Sequence, residues 1–162
     1  MALSKEKSFD MTDYRIIALL RENARMPEEE ISAKTGAGVE EVRSRINRLL
    51  KAGAGRITMV VDPDAFGYKL AADIYLSLDK TREKEIIEEL RKKPNVTYMG
   101  HGQEAGEIAL EVRFKSSSDL YDFVKTELPS IPGVIIEEFT MLPRILKNID
   151  QWVPPEEDFT PS

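Results

Sequence analysis

Residues 27–53 read PEEEISAKTGAGVEEVRSRINRLLKAG, which is the pattern of two helices separated by a tight turn. Pro27 is tolerated at a first helical position. Glu28, Glu29 and Glu30 follow it at the positive end of the helix dipole, and Gly36 stops the helix. A second helix opens near Val39. Its apolar residues Val39, Val42, Ile46 and Leu49 recur at 3-4-3 spacing, which makes one buried stripe. Gly53 is placed to close it as a C-cap. Ser32 is small enough for the helices to approach closely, and Gly36, four residues on, supplies the backbone freedom of the turn. This is helix-turn-helix spacing.

At about 100° per residue, Glu40, Ser44, Asn47, Arg48 and Lys51 point away from the stripe, with Arg43 and Arg45 flanking it. Hydrogen-bonding and cationic groups thus occupy the positions through which a recognition helix reads the major groove. The residues expected to meet DNA are Lys34, Gly38, Val39, Arg43, Ser44, Asn47, Arg48 and Lys51. The competing reading is a helix hairpin with a solvated charged face. Glu40 favours that one, since it repels phosphates unless it accepts from a cytosine amino group.

Outward from this core, residues 10–24 predict another helix on Ile16, Ile17, Leu19 and Leu20, with Asp10 or Thr12 as N-cap. Residues 56–62, RITMVVD, read as a strand placed like a wing. Asp62-Pro63-Asp64 is the hinge. Charge changes sign there. Residues 1–62 carry eleven Lys/Arg against ten acids, net +1, whereas residues 63–162 carry twelve against nineteen, net −7. A binding half and a non-binding half are implied, with the acidic half turned away from nucleic acid.

Beyond the hinge, LAADIYLSL (70–78) alternates as a half-buried strand, and TREKEIIEELRKK (81–93) is an amphipathic helix on Ile86, Ile87 and Leu90. VTYMG follows Pro94-Asn95 as a strand. GEIALEVRF alternates on Ile108, Leu110, Val112 and Phe114, and Ser116 to Ser118 can cap a helix on Leu120, Phe123, Val124 and Leu128. Pro132-Gly133 turns into a last strand, VIIEEFTML. The order βαββαβ is the ferredoxin-like pattern, with both helices on one side of an antiparallel sheet. The other face, where Tyr75 and Met99 are expected, is left for a second copy of the chain. The fold class is therefore α+β. An N-terminal winged helix-turn-helix (1–62) precedes a ferredoxin-like dimerisation and effector domain (63–145) and an extended acidic tail (146–162).

Several chemistries are excluded. Cys is absent and His101 is the single histidine, so thiolate and multi-histidine metal sites do not arise, and no metal or cofactor is expected. No apolar run reaches a membrane span, and MALSKEKSFD lacks a secretory h-region, so the expected location is the cytoplasm. Gly100-His101-Gly102-Gln103-Glu104-Ala105 matches G-x-G-x-x-G/A, but a strand follows where that fingerprint needs a helix. What remains is a hairpin loop of small residues with two carboxylates, Glu104 and Glu107, or a plain surface turn.

Taken together, the chain resembles the Lrp/AsnC (feast/famine) transcriptional regulators across residues 9–142. The resemblance rests on Phe9, Asp10, Asp13, Ile16 and Ile17, then Asn23-Ala24-Arg25, then Glu30-Ile31-Ser32, Gly36-Ala37-Gly38, Val42, Arg45-Ile46 and Arg48-Leu49. It continues in Val61-Asp62-Pro63, Phe66-Gly67-Tyr68 and Pro132-Gly133-Val134. It implies a winged helix-turn-helix for double-stranded DNA and a ferredoxin-like domain for dimers, commonly assembled into octamers. It also implies an amino acid or related effector that shifts DNA affinity or assembly. The effector loop corresponds to His101, Gly102, Gln103, Glu104, Gly106 and Glu107, which lack the family's tyrosine and run one or two residues longer. Gly38 stands where the family has an N-cap serine. The rival readings are a sirohaem decarboxylase subunit, similar in fold but without its arginines near Thr97-Tyr98-Met99-Gly100-His101, and a ligand-sensing oligomer without DNA binding.

Overall fold

The computed structural model describes residues 9–147 and 149–161. The chain divides into two compact units. One comprises the residues up to Val60 together with those from Lys147 onward, and the other spans Val61–Leu146.

The first unit holds α1 (Met11–Glu22), α2 (Glu28–Thr35) and α3 (Val39–Ala52). α1 starts where it does because Asp10 and Asp13 form a reciprocal capping box. The Asp13 amide donates to Asp10 Oδ1 and the Asp10 amide to Asp13 Oδ2, each at 3.0 Å. Pro27 stands at the N-cap of α2, one position before the helix, with extended backbone. Gly36 ends α2 at φ +79, and the Ser32 hydroxyl donates to the Ala37 carbonyl at 2.7 Å across the turn. Ser32 therefore ties the turn as well as allowing close approach. Ile16, Met26, Ile31, Val42 and Leu49 form the buried core, with Ile17, Leu20 and Ile46 packed around it. Burying five such side chains contributes on the order of 1.5–3 kcal/mol each, which fixes the angle between α2 and α3.

Two expectations fail in this unit. Residues 56–62 form no strand, and Ile57, Met59, Val60 and Val61 stay more than half exposed. A strand needs a neighbour for its N–H and C=O groups, and apolar β-branched sequence alone does not supply one. The tail beyond about residue 146 reads as extended or disordered. It contains 3-10 turns at Ile149–Gln151 and Glu156–Asp158 and packs on α1. Phe159 is buried there with its ring centroid 5.1 Å from that of Tyr14. One buried aromatic anchors a segment that carries four acids, which an average over the composition conceals.

The second unit contains β1 (Leu70–Leu78), α4 (Glu83–Arg91), β2 (Val96–His101), β3 (Glu107–Phe114), α5 (Ser117–Asp122) and β4 (Val134–Leu142). α5 continues through a π turn over Phe123–Glu127, and Ser116 caps it by accepting from the Asp119 amide at 3.1 Å. The sheet is antiparallel in the order β2-β3-β1-β4, the ferredoxin-like arrangement. Ala72, Ile74, Leu76 and Leu78 of β1 and Ile108, Leu110, Val112 and Phe114 of β3 are buried with Ile86, Leu90, Leu120, Phe123 and Leu128 of the helical layer. Asp73, Tyr75, Glu111, Arg113 and Glu138 alternate onto the other face. Met99 differs from expectation. It pairs with Leu110 and packs against the core, while its neighbour Tyr98 pairs with Glu111 and is 61% exposed on the open face. A register shift between Val96 and Tyr98 moves the alternation by one residue.

Candidate nucleic-acid interface and effector loop

The outward side of α3 is an open concavity lined by Glu40, Arg43, Ser44, Asn47, Arg48 and Lys51, with Phe9 at its edge. Ser44, Asn47 and Lys51 are exposed, and among the described residues no partner engages their side chains. Gly38 is exposed and Val39 half-buried at the start of the helix. Six of the eight residues expected to meet DNA, Val39 onward, thus share one helix. Gly38 caps it, and Lys34 belongs to α2.

The cations are more constrained than the sequence suggests. Arg43 donates to Glu28 of α2 at 2.9 and 2.7 Å and to Glu40 at 2.6 Å. The Glu28 hydrogen bond, then its charge and that of Glu40, raise the Arg43 pKa. Lys34 pairs with Glu30 at 2.9 Å. Arg45 donates to both oxygens of Asp10 at 2.8 Å, to Asp13 at 3.1 Å and to Glu41 at 2.8 Å. Its pKa rises, chiefly from the Asp10 hydrogen bond and against partial burial. Burial pushes the Asp10 carboxyl up, but hydrogen bonds from Arg45 and the Asp13 amide outweigh it, and the net shift is downward. Arg48 donates through one terminal nitrogen to Asp13, which is 0% exposed, and its guanidinium carbon lies 5.8 Å from the Phe9 ring centroid. Asp13 is thereby satisfied by two guanidiniums and a backbone amide, as a buried carboxylate must be. Periodicity alone shows α3 as a face of free cations. The acids that hold them, Asp10, Asp13 and Glu28, lie on other helices and are not visible to a reading confined to α3.

The ion pairs still leave the face able to engage phosphate. Exposed pairs such as Arg43–Glu28 and Lys34–Glu30 are weak in water and exchange readily for a phosphate. Arg48 keeps most of its five donors, and its side chain is 49% exposed. Asp13 and Phe9 position this arginine without consuming it.

In the second unit, the residues expected to form an effector loop meet at the β2–β3 turn: His101 ends β2, Glu107 opens β3, and Gly102, Gln103, Glu104 and Gly106 lie between them. His101 Nε2 is 2.7 Å from Glu83 in the first turn of α4, and Nδ1 is 2.9 Å from the Gly102 carbonyl. The Gly102 contact, then Glu83, raises the His101 pKa. The Gly102 amide donates to the Glu107 carbonyl at 2.7 Å, and the Glu104 amide to Glu107 Oε2 at 3.2 Å. Gln103 and Glu104 are exposed. Gly106 is buried at φ +90, and a Cβ there would lie 2.7 Å from the Leu78 carbonyl oxygen. The loop is thus a closed hairpin turn whose carboxylates stay at the surface. The described residues contain no group of three or more His, Cys, Asp or Glu side chains arranged to hold a metal, and none of the helices is long and apolar enough to cross a membrane.

A helix-turn-helix unit joined to a ferredoxin-like unit defines a class of transcriptional regulator, and comparison with known proteins agrees. Residues 9–50 match the AsnC-type helix-turn-helix domain. An uncharacterized HTH-type transcriptional regulator of Pyrococcus horikoshii is 31% identical over 145 residues, covering 89% of this chain and 92% of that protein. The HTH-type transcriptional regulator FL11 of Pyrococcus furiosus is 30% identical over 126 residues, covering 77% and 83%. Among solved structures, a transcriptional regulator of Neisseria meningitidis in complex with L-Met superposes with a TM-score of 0.79 at 23% identity, covering 87% of this chain and 94% of that one. AsnC of E. coli superposes with a TM-score of 0.78 at 20% identity, covering 88% and 98%. The chain belongs to the Lrp/AsnC family of HTH-type transcriptional regulators.

Proposed function

We propose that this regulator binds a specific DNA sequence as a dimer or higher oligomer in the cytoplasm, with α3 of each copy in the major groove. The observation that carries the reading is the α3 face itself. Ser44 and Asn47 offer exposed donors and acceptors for base edges, Lys51 offers a cation with no partner among the described residues, and Arg48 is aimed by Asp13 while half exposed. Two such helices related by dimer symmetry meet successive major grooves about 34 Å apart on a roughly palindromic site. The open sheet face supports association with a second copy, since Tyr75, Tyr98 and Ile135 are exposed on it.

An amino acid or related small molecule at the 101–107 loop is the effector in this reading. Glu104 and Glu107 are the groups that would receive its ammonium. The L-Met complex of the Neisseria protein, a neighbour in fold, is in keeping with this assignment. Titration of DNA from upstream of its own gene at rising salt tests the DNA-binding reading. Affinity falls steeply with salt if phosphates are neutralised, and a flat response contradicts it. Calorimetry with a panel of amino acids tests the effector assignment, and absence of heat across the panel removes it.

A further inference from the structure

The C-terminal segment packs against the residues that aim Arg48. The Met11 amide donates to the Thr160 carbonyl at 3.0 Å and the Thr160 amide to the Phe9 carbonyl at 2.9 Å, a parallel bridge centred on Asp10 and Thr160. The Thr160 hydroxyl also reaches the Phe9 carbonyl at 3.3 Å. Next in the chain, Phe159 is 9% exposed with its ring edge-on to Tyr14 of α1. Further back, Arg21 at the other end of α1 donates to the Gln151 carbonyl at 3.0 Å. The tail thus grips α1 at both ends.

The gripped residues face the interface. Phe9 lines the α3 concavity and lies under the Arg48 guanidinium. Asp10 caps α1 and accepts at both oxygens, each at 2.8 Å, from the Arg45 terminal nitrogen that also reaches Asp13. Residues preceding a helix fray unless something ties them down. Here the tie comes from a segment roughly 150 positions away in sequence.

We propose that Phe159 and Thr160 are positioning residues for DNA binding: the C-terminal segment clasps Phe9 and Asp10, the latter pinned by Arg45, and through them holds Arg48 in the geometry that α3 presents to a duplex. The inference rests on the DNA-binding reading above for its consequence, but not for the clasp itself. Without the clasp, residues 9–10 sample several conformations. The population with Arg48 aimed falls, and apparent affinity falls by the same factor.

The test uses the full chain, Phe159→Ala, Phe159→Leu, Arg48→Ala and the Phe159→Ala/Arg48→Ala pair, well below their melting temperatures. The expected result is a loss of roughly three- to tenfold in DNA affinity for Phe159→Ala and a smaller loss for Phe159→Leu. In the Arg48→Ala background the Phe159→Ala change has little further effect. Equal losses in both backgrounds, or no loss, overturn the link to DNA. Nitrogen NMR of the Arg45 and Arg48 Nε–H groups reads the clasp without DNA. Their resonances shift and broaden in Phe159→Ala, and unchanged resonances overturn the clasp. If the unaltered chain binds no DNA while those resonances still respond, the DNA-binding reading fails and the clasp stands.

Discussion

Arg48 of α3 donates to Asp13 of α1, a carboxylate with no exposure to solvent. A residue on the outward face of the candidate recognition helix is therefore also a fixture of the core. Its two roles separate experimentally, because the anchor uses one nitrogen and leaves the other donors outward.

Removing the acid half of this pair leaves two guanidiniums without their buried partner. Asp13→Asn is expected to destabilise the helical unit by about 3–5 kcal/mol, as breaking a buried ion pair does. Arg48→Ala costs less, about 1 kcal/mol, since its side chain is half exposed. Hydrogen exchange of α1 and α3 amides reads both effects within the unit. The same node is acid-sensitive. Asp10 has a depressed pKa, so the stability it contributes is present above its ordinary value of 3.8 and is lost as pH falls through the folded value.

Arg43 is held by Glu28 and Glu40, and if α3 reads DNA as proposed, releasing it is expected to strengthen binding. Glu28→Gln is expected to raise affinity by up to about fivefold, with little change in melting temperature, as an exposed pair contributes little to stability. Fluorescence anisotropy at fixed low salt measures it, and reduced affinity would show that Glu28 holds Arg43 in the binding geometry.

Lys51 has no partner among the described residues, so its contribution is electrostatic. Lys51→Ala is expected to lower affinity across specific and non-specific sequences alike, and to reduce the slope of log affinity against log salt by about 0.9 if it neutralises one phosphate. An unchanged slope places Lys51 outside the interface.

His101 bridges the β2–β3 loop to α4 through Glu83. Its raised pKa means that folding favours the charged imidazole. The tether is complete below the ordinary value of 6.5 and is lost as pH rises through the folded value. Loop amides 102–107 should broaden in NMR spectra over that interval, and Glu83→Gln should lower the His101 pKa.

Gly106 is buried at φ +90 against the Leu78 carbonyl. Gly106→Ala requires both an unfavourable backbone and a 2.7 Å approach to that oxygen. The loss is expected to exceed about 1 kcal/mol and to appear first as weakened pairing between β1 and β3. Thermal unfolding followed in the β-sheet amides decides it.

Much of this molecule is legible in one sequence. The stripe of Val42, Ile46 and Leu49 and the alternation of Ile108, Leu110, Val112 and Phe114 state their own burial, because helical and strand periods report directly which face is covered. What was not legible depends on partners distant in the chain. Asp13 reads as an ordinary first-turn acid until Arg45 and Arg48 arrive from 32 and 35 residues away. Met99 and Tyr98 exchange faces because of one register shift. Residues 56–62 carry strand-like residues with no strand to meet, while an acidic tail ends in the one aromatic that docks on Tyr14.

The ratio of specific to non-specific DNA affinity, compared between the native chain and Ser44→Ala/Asn47→Ala, probes the α3 reading face where no ion pair complicates the outcome. Losing two base-edge contacts is expected to reduce that ratio by at least about tenfold, at ~1–3 kcal/mol per contact, with the melting temperature unchanged. A ratio that stays the same, or a native chain that shows no preference for any sequence over random duplex, contradicts the assignment of α3 as the element that reads DNA.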